Sequence, residues 1–152
     1  AQLGSRLPLQ RHAGEWLRDA VAHTPGGRVV VFDYAREYTW DTVGINWREW
    51  LRTYRGHERG GHYLLDAGQQ DITVDVMIDQ LALVAPPLSV RTQAQFLQLW
   101  GIDELVAEGE QYWADHAARP DLAAMRMRSR TAEAAALCDP AGLGGFSVIE
   151  WG

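Results

Sequence analysis

Val29-Val30-Val31-Phe32-Asp33-Tyr34-Ala35 is the stretch whose reading decides the fold. Four consecutive apolar residues, three of them β-branched, follow the break Gly26-Gly27. Such a run predicts a short strand buried on both faces, because a half-wet strand would alternate. Upstream, Leu9, Ala13, Trp16, Leu17, Ala20 and Val21 recur at helical spacing. Arg11, Glu15, Arg18 and Asp19 fill the opposite face. Thr24-Pro25-Gly26-Gly27 ends that helix. Helix, tight turn and buried strand make the second half of an α/β unit. The strand ends on Asp33-Tyr34, and open α/β sheets bind ligands beyond the carboxyl ends of their strands. A polar pair there is a candidate site. The plainer alternative is that Asp33 caps the next turn.

Residues 35–68 change character. They hold three of the seven tryptophans, three tyrosines, five arginines and two histidines. Asn46 with Glu49 reads as a capping box, and Trp47, Trp50, Leu51 and Tyr54 as one face of a short helix behind it. Gly56-His57-Glu58-Arg59-Gly60-Gly61-His62 is too rich in glycine for a helix and reads as a loop. The mixture could form a cover over a ligand, a stack for nucleobases, or a satellite core. The acid-rich remainder weighs against nucleobases.

Gly68-Gln69-Gln70-Asp71-Ile72-Thr73-Val74-Asp75-Val76 follows. Ile72, Val74 and Val76 alternate with Asp71, Thr73 and Asp75, a strand with one dry face. A short helix around Ile78–Val84 ends at Pro86-Pro87. Leu88–Arg91 reads as a strand. Thr92 with Gln95 is a second capping box, opening a helix that Gly101 interrupts. Pro120-Asp121 opens an alanine-rich helix to about Leu137, and Phe146–Trp151 reads as a last strand. Three core strands and several helices give an α/β class, with no linker dividing the chain.

Bulk composition narrows the function. The chain has 152 residues, 47% apolar, enough for one domain with a core. A formal charge of -6 argues against nucleic acid and anionic membranes as partners. All fourteen basic side chains are arginine, as the codon usage of a GC-rich, bacterial genome would give. One cysteine excludes an internal disulfide and suggests a cytoplasmic protein. No apolar run is long enough for a membrane helix.

Other chemistries lack their parts. His57 and His62 lie five apart across glycines with no third ligand nearby, so no metal is expected and solvated loop histidines are the plainer reading. Cys138, at the end of an alanine-rich helix, reads as core. Gly142-Leu143-Gly144-Gly145 follows a helix and precedes a strand, the reverse of a phosphate loop, and reads as a turn.

Taken in order, the motifs VVVFDYA (29–35), LRTYRGH (51–57), DAGQQDITVDV (66–76), RTQAQFL-x-x-WGI (91–102) and GLGGFSVIEW (142–151) resemble the C-terminal half of the MidA-like S-adenosylmethionine-dependent methyltransferases. That group includes the mitochondrial complex I assembly methyltransferase, which modifies a protein arginine. The resemblance implies the C-terminal part of a class I, Rossmann-like methyltransferase sheet, residues 1–152 forming half of a single domain with a lid-like insertion at about 35–68. On this mapping Val29–Asp33 is the fifth strand, Leu88–Arg91 the sixth, and Phe146–Trp151 the seventh, lying between them. The fifth strand then exposes an edge where upstream strands belong. The glycine-rich motif for S-adenosylmethionine is expected upstream, so no cofactor-binding residue is assigned here and the fragment alone is expected to be inactive. The expected partners are the N-terminal half or a companion chain, a protein substrate in which an arginine is modified, and a second copy in a homodimer.

The resemblance also assigns an acceptor side. Asp33, Asp71 and Asp75 are candidates to orient an acceptor and take up its proton, with Tyr34, Tyr54 and His57 as walls or hydrogen-bond partners. Asp71 and Thr73 would hold the rim while Ile72 faces inward. Ala35 stands for a glycine common in the family, Ile78 for an aromatic and Met77 for an acid, differences that bear on the shape of the acceptor pocket. The competing reading is a non-catalytic interaction module that docks a partner through an exposed sheet edge.

Overall fold

The computed structural model describes residues 4–152. It is a mixed α/β structure. The chain runs through α1 (Arg11–Ala22), β1 (Val29–Asp33), β2 (Ala35–Arg36), β3 (Leu51–Arg55), β4 (Glu58–Arg59), β5 (Asp71–Val74), β6 (Val76–Met77), α2 (Ile78–Ala82), β7 (Ser89–Thr92), α3 (Gln93–Leu99), α4 (Ile102–His116), α5 (Leu122–Cys138) and β8 (Ser147–Trp151). Three sheets form, with strand orders β1-β8-β7, β2-β6 and β4-β3-β5.

The latest strand in the chain is therefore the middle strand of the first sheet. Leu88 N–H donates to Glu150 O at 2.7 Å and Gln93 N–H to Phe146 O at 2.8 Å, so β7 and β8 run antiparallel. In β8, Val148, Ile149 and Trp151 are fully buried. Burying side chains of this size contributes about 1.5–3 kcal/mol each.

β1 is an outer strand, with β8 on one side and no partner on the other among the described residues. Its exposure alternates, with Val30 and Phe32 outward at 38% and 44%. The expectation of a strand buried on both faces is corrected here. Both faces carry apolar residues, but the outward one is only partly covered: Phe32 meets the Phe96 ring edge-on at 5.3 Å and stays 44% exposed.

Two compact units share the chain. Of the described residues, one comprises 4–29, 33–88 and 150–152; the other comprises 30–32 and 89–149. In the first, Gln10 ties the start of α1 to the β5–β6 segment. Its side chain donates to Asp75 O at 2.7 Å and accepts from Met77 N–H at 2.8 Å. Asp79 accepts from the backbone and hydroxyl of Thr39, fixing the segment after β2 to α2. Leu17, Met77, Ile78 and Leu81 form the apolar centre, and the Trp151 indole N–H donates to Ala85 O at 2.9 Å.

In the second unit, Thr92 makes the full capping box with Gln95 that the sequence predicts. Gly101 separates α3 from α4 at φ 88°, a conformation that other residues rarely adopt. Asp121 caps α5 through Ala124 N–H. Gly109 lets α4 and α5 close together, since a β-carbon there would lie 2.5 Å from Met127 O. Cys138 is half-buried rather than fully in a core.

The helix expected behind Asn46 does not form. Asn46 caps, accepting from Arg48 N–H at 3.0 Å, but Glu49 does not complete the expected box among the described residues, and only the single turn Trp47–Glu49 follows. Leu51–Arg55 is a strand, because pairing with β5 is available and Thr53 and Tyr54 favour it. The expected loop after it contains a hairpin: Gly56, at φ 61°, and His57 turn β3 into β4.

Candidate functional site

All six sequence-predicted acceptor-side residues lie in the first unit. Their arrangement follows from strand register. β3 and β5 pair antiparallel with Arg52 opposite Thr73 and Tyr54 opposite Asp71. Residues directly opposite share a face, so Arg52, Tyr54, Asp71 and Thr73 point to one side of this sheet. Leu51, Thr53, Ile72 and Val74 point to the other.

Tyr34 joins the first face. Its backbone carbonyl accepts from Val76 N–H at 2.7 Å, and its ring lies under the Arg52 guanidinium at 4.5 Å. Asp33, immediately before it, accepts from Tyr34 N–H through Oδ1 at 2.7 Å. That bond is the local cap weighed from sequence. It leaves Oδ2 without a hydrogen-bond partner among the described residues. Tyr54 carries the Arg59 guanidinium over its ring at 5.2 Å. The face therefore alternates aromatic rings, guanidinium groups and the exposed carboxylate of Asp71.

The structure brings Tyr34, Tyr54, Asp71 and Thr73 onto one surface around Arg52, with Asp33 adjoining Tyr34. His57 stands apart at the hairpin tip, exposed, and makes no hydrogen bond or ring contact among the described residues. Ile72 does not face inward as expected. Period two puts it on the opposite face from Asp71 and Thr73, where it is 53% exposed.

Asp75 also departs from its expected role. It is 5% exposed, and its carboxylate is taken by two arginines: Oδ2 accepts from Arg36 Nε at 2.9 Å and Oδ1 from Arg52 Nη2. An acid so engaged is not free to orient an acceptor. It holds Arg52 in place over Tyr34 instead. Arg52 Nε is buried and finds no partner among the described residues. The sequence offered one signal for this cluster: Asp75 falls at period two on the same side as Asp71 and Thr73, between Val74 and Val76, and a buried acid there requires partners.

His62 is not a freely solvated loop histidine. It stacks on Tyr63 at 4.4 Å and meets the Trp47 ring edge-on at 5.1 Å. No group of three or more His, Cys, Asp or Glu suited to a metal occurs among the described residues. Among the titratable groups, Tyr38 has its phenol pKa raised, first by a hydrogen bond with Glu37 and then by the charge of that carboxylate.

Residues 1–94 match the family model described as "Putative S-adenosyl-L-methionine-dependent methyltransferase". The chain belongs to that family. The MidA-like resemblance drawn from the five motifs agrees with it. The search of curated proteins found no match. Two solved structures from Burkholderia thailandensis are similar to the chain. One is the native structure of an uncharacterized protein, at 22% identity and TM-score 0.70, covering 93% of this chain and 37% of that one. The other is described as a "likely methyl transferase" bound to S-adenosyl-homocysteine, at 22% identity and TM-score 0.66, covering 93% of this chain and 36% of that one. At such identity the likeness speaks to the fold. The chain spans little more than a third of the length of these methyltransferase-like structures.

Among the described residues no helix is long and apolar enough to cross a membrane.

Proposed function

We propose that this chain is the acceptor-side portion of an S-adenosylmethionine-dependent methyltransferase of the class I, Rossmann-like type, acting on a protein. The observation that carries the reading is the strand order β1-β8-β7, with the last strand antiparallel to β7 in the middle and β1 outermost. That is the order in which the fifth, seventh and sixth strands of such a sheet lie. Family membership supports it, as does a solved neighbour that binds the demethylated cofactor.

On this reading the chain is half of a single domain, with residues 35–68 as its cover, and its first partner is the N-terminal half or a companion chain that continues the sheet beyond β1. The cofactor is assigned to residues upstream. The paired glycines Gly144 and Gly145 do not fit a cofactor cradle. A β-carbon on Gly144 would lie 2.3 Å from the Cys138 carbonyl, and one on Gly145 would lie 2.5 Å from Pro140 O. These glycines serve the close turn between α5 and β8.

What the chain contributes is acceptor binding and orientation. Asp33 and Asp71 offer carboxylates to a cationic acceptor, the family resemblance pointing to an arginine side chain. Tyr34, Tyr54 and Thr73 line the surface between them, and His57 is a hydrogen-bonding group at its outer tip. Asp75 supports this surface by holding Arg52 in place. Methyl transfer from a sulfonium is governed chiefly by placement, so rigidity of this surface is the relevant property.

Calorimetry with S-adenosyl-homocysteine tests the assignment. The longer protein that carries this chain should bind it, and the chain alone should bind weakly or not at all. Tight binding by residues 1–152 alone would contradict the assignment of the cofactor to upstream residues.

A further inference from the structure

The opposite face of the β3–β5 pair borders a second concavity. Leu51 and Val74, cross-strand partners, form part of its lining together with Trp47, Trp50 and Tyr63. The segment Arg6–Gln10 closes one side, leaving a cavity of about 380 Å³. A hollow of about 450 Å³ adjoins it, sharing Arg6, Trp47 and Trp50 and reaching Gly4 and Gly44. Together they form a trough along residues 4–10 rather than a single compact hole.

Three features say what the trough suits. Its inner part is apolar and aromatic, which fits an aliphatic or aromatic side chain. Arg6 lines the trough, and a second guanidinium, Arg48, stands beside it on Trp47. Arg6 lies over the Tyr63 ring at 5.4 Å and Arg48 over the Trp47 ring at 4.7 Å. Neither makes an ion pair among the described residues, so both keep their charge free for a carboxylate. Third, the backbone N–H and C=O groups of Ser5, Arg6 and Leu7 make no hydrogen bond among the described residues. Unpaired main-chain donors and acceptors beside a pocket are available to hydrogen-bond the backbone of a bound peptide.

We propose that this trough docks an extended acidic peptide segment of a protein partner, with one aromatic or aliphatic side chain in the Leu51–Val74–Trp47 pocket and flanking carboxylates on Arg6 and Arg48. The proposal rests on the methyltransferase reading for the identity of the partner, the methyl acceptor, which would be held here by residues other than the one modified. Peptide binding itself needs neither cofactor nor methyl transfer. The chain as a whole is charged -6, so an acidic peptide has no general attraction to it and would depend on these two arginines.

The test uses the full-length protein that carries this chain and a fluorescein-labelled pentapeptide, Asp-Glu-Phe-Glu-Asp, followed by anisotropy. Binding is expected to weaken about tenfold with Arg6→Glu, with Arg48→Glu and with alanine for the peptide's phenylalanine, and to weaken as salt is raised. Both protein substitutions are on exposed side chains, and circular dichroism checks that the fold survives them. Absence of binding, equal binding of a peptide with lysine for each acid, or indifference to both charge reversals would overturn the proposal. Full displacement of the peptide by phenylacetate, with phenylacetate binding as tightly as the peptide, would also overturn it, because the trough would then be a small-acid site. Peptide binding without S-adenosyl-homocysteine binding would leave the proposal standing and remove the methyltransferase reading.

Discussion

Asp75 and Arg52 are joined at the acceptor-side face: the carboxylate of one bonds the guanidinium of the other, and that guanidinium covers the Tyr34 ring. Arg36 takes the second oxygen, so one nearly buried acid serves two cations. The three come from β2, β3 and the junction of β5 with β6. The cluster thus ties the two smaller sheets together where the candidate site lies.

Asp75→Asn should destabilise the protein strongly. It removes the charge that two guanidiniums face, and Arg52 is only 12% exposed in its side chain. Breaking a buried pair by removing one partner costs about 3–5 kcal/mol, less here because Arg36 is partly solvated. Urea denaturation reads the midpoint. Replacing all three residues together by apolar ones of similar size should cost less than the single change, since no charge is then stranded. A neutral Asp75→Asn would remove the cluster from any structural role.

Gly109→Ala sets two effects against each other. Alanine in a helix interior gains about 1 kcal/mol over glycine. Here its β-carbon would meet Met127 O at 2.5 Å, with the Arg130 side chain at 3.1 Å. A backbone oxygen moves only if α5 moves, and overpacking of that kind costs about 1–3 kcal/mol. The clash should win, lowering the melting temperature. A rise would mean that α4 and α5 do not approach this closely.

Tyr38 should titrate above an ordinary tyrosine. Its hydrogen bond to Glu37 and the charge of that carboxylate both favour the protonated phenol. A raised folded-state pKa means the fold binds this proton more tightly than the unfolded chain. Any stability from it is present below the unfolded pKa and is lost as pH rises through the folded one. Ultraviolet titration of the phenolate band should show the midpoint falling in Glu37→Gln. An unchanged midpoint would assign the shift to another neighbour.

Local chemistry was legible and long-range register was not. Thr92 and Gln95, Asp121, and the breaks at Gly26-Gly27 and Gly101 act within a few residues, and each appears as read. Leu51–Tyr54 was misread because Trp47, Trp50, Leu51 and Tyr54 fit a helical face, whereas what decides the matter is a partner strand some twenty residues on. The same pairing sets which residues share a face, so Ile72 was placed inward and Arg52 went unnoticed. Val30 and Phe32 read as buried because both faces of β1 are apolar. What the residues themselves cannot encode is whether anything covers the second face.

That exposed strand carries the last prediction. Val30 is 38% exposed on an outer strand that has no charge before Asp33, and such an edge invites pairing with another copy. Residues 1–152 alone should therefore self-associate as concentration rises, and Val30→Lys should suppress this with little loss of stability, because lysine is a natural guard of an open edge. The longer protein should respond in the opposite way. If upstream strands continue the sheet past β1, Val30 becomes interior and its lysine loses solvent. An unpaired buried charge should then cost about 2 kcal/mol or more. Equilibrium denaturation of Val30→Lys in both lengths, with sedimentation to follow association, separates the cases. A substitution tolerated equally well in both would mean that nothing adds to β1, and the placement of this strand inside a larger methyltransferase sheet would fail with it.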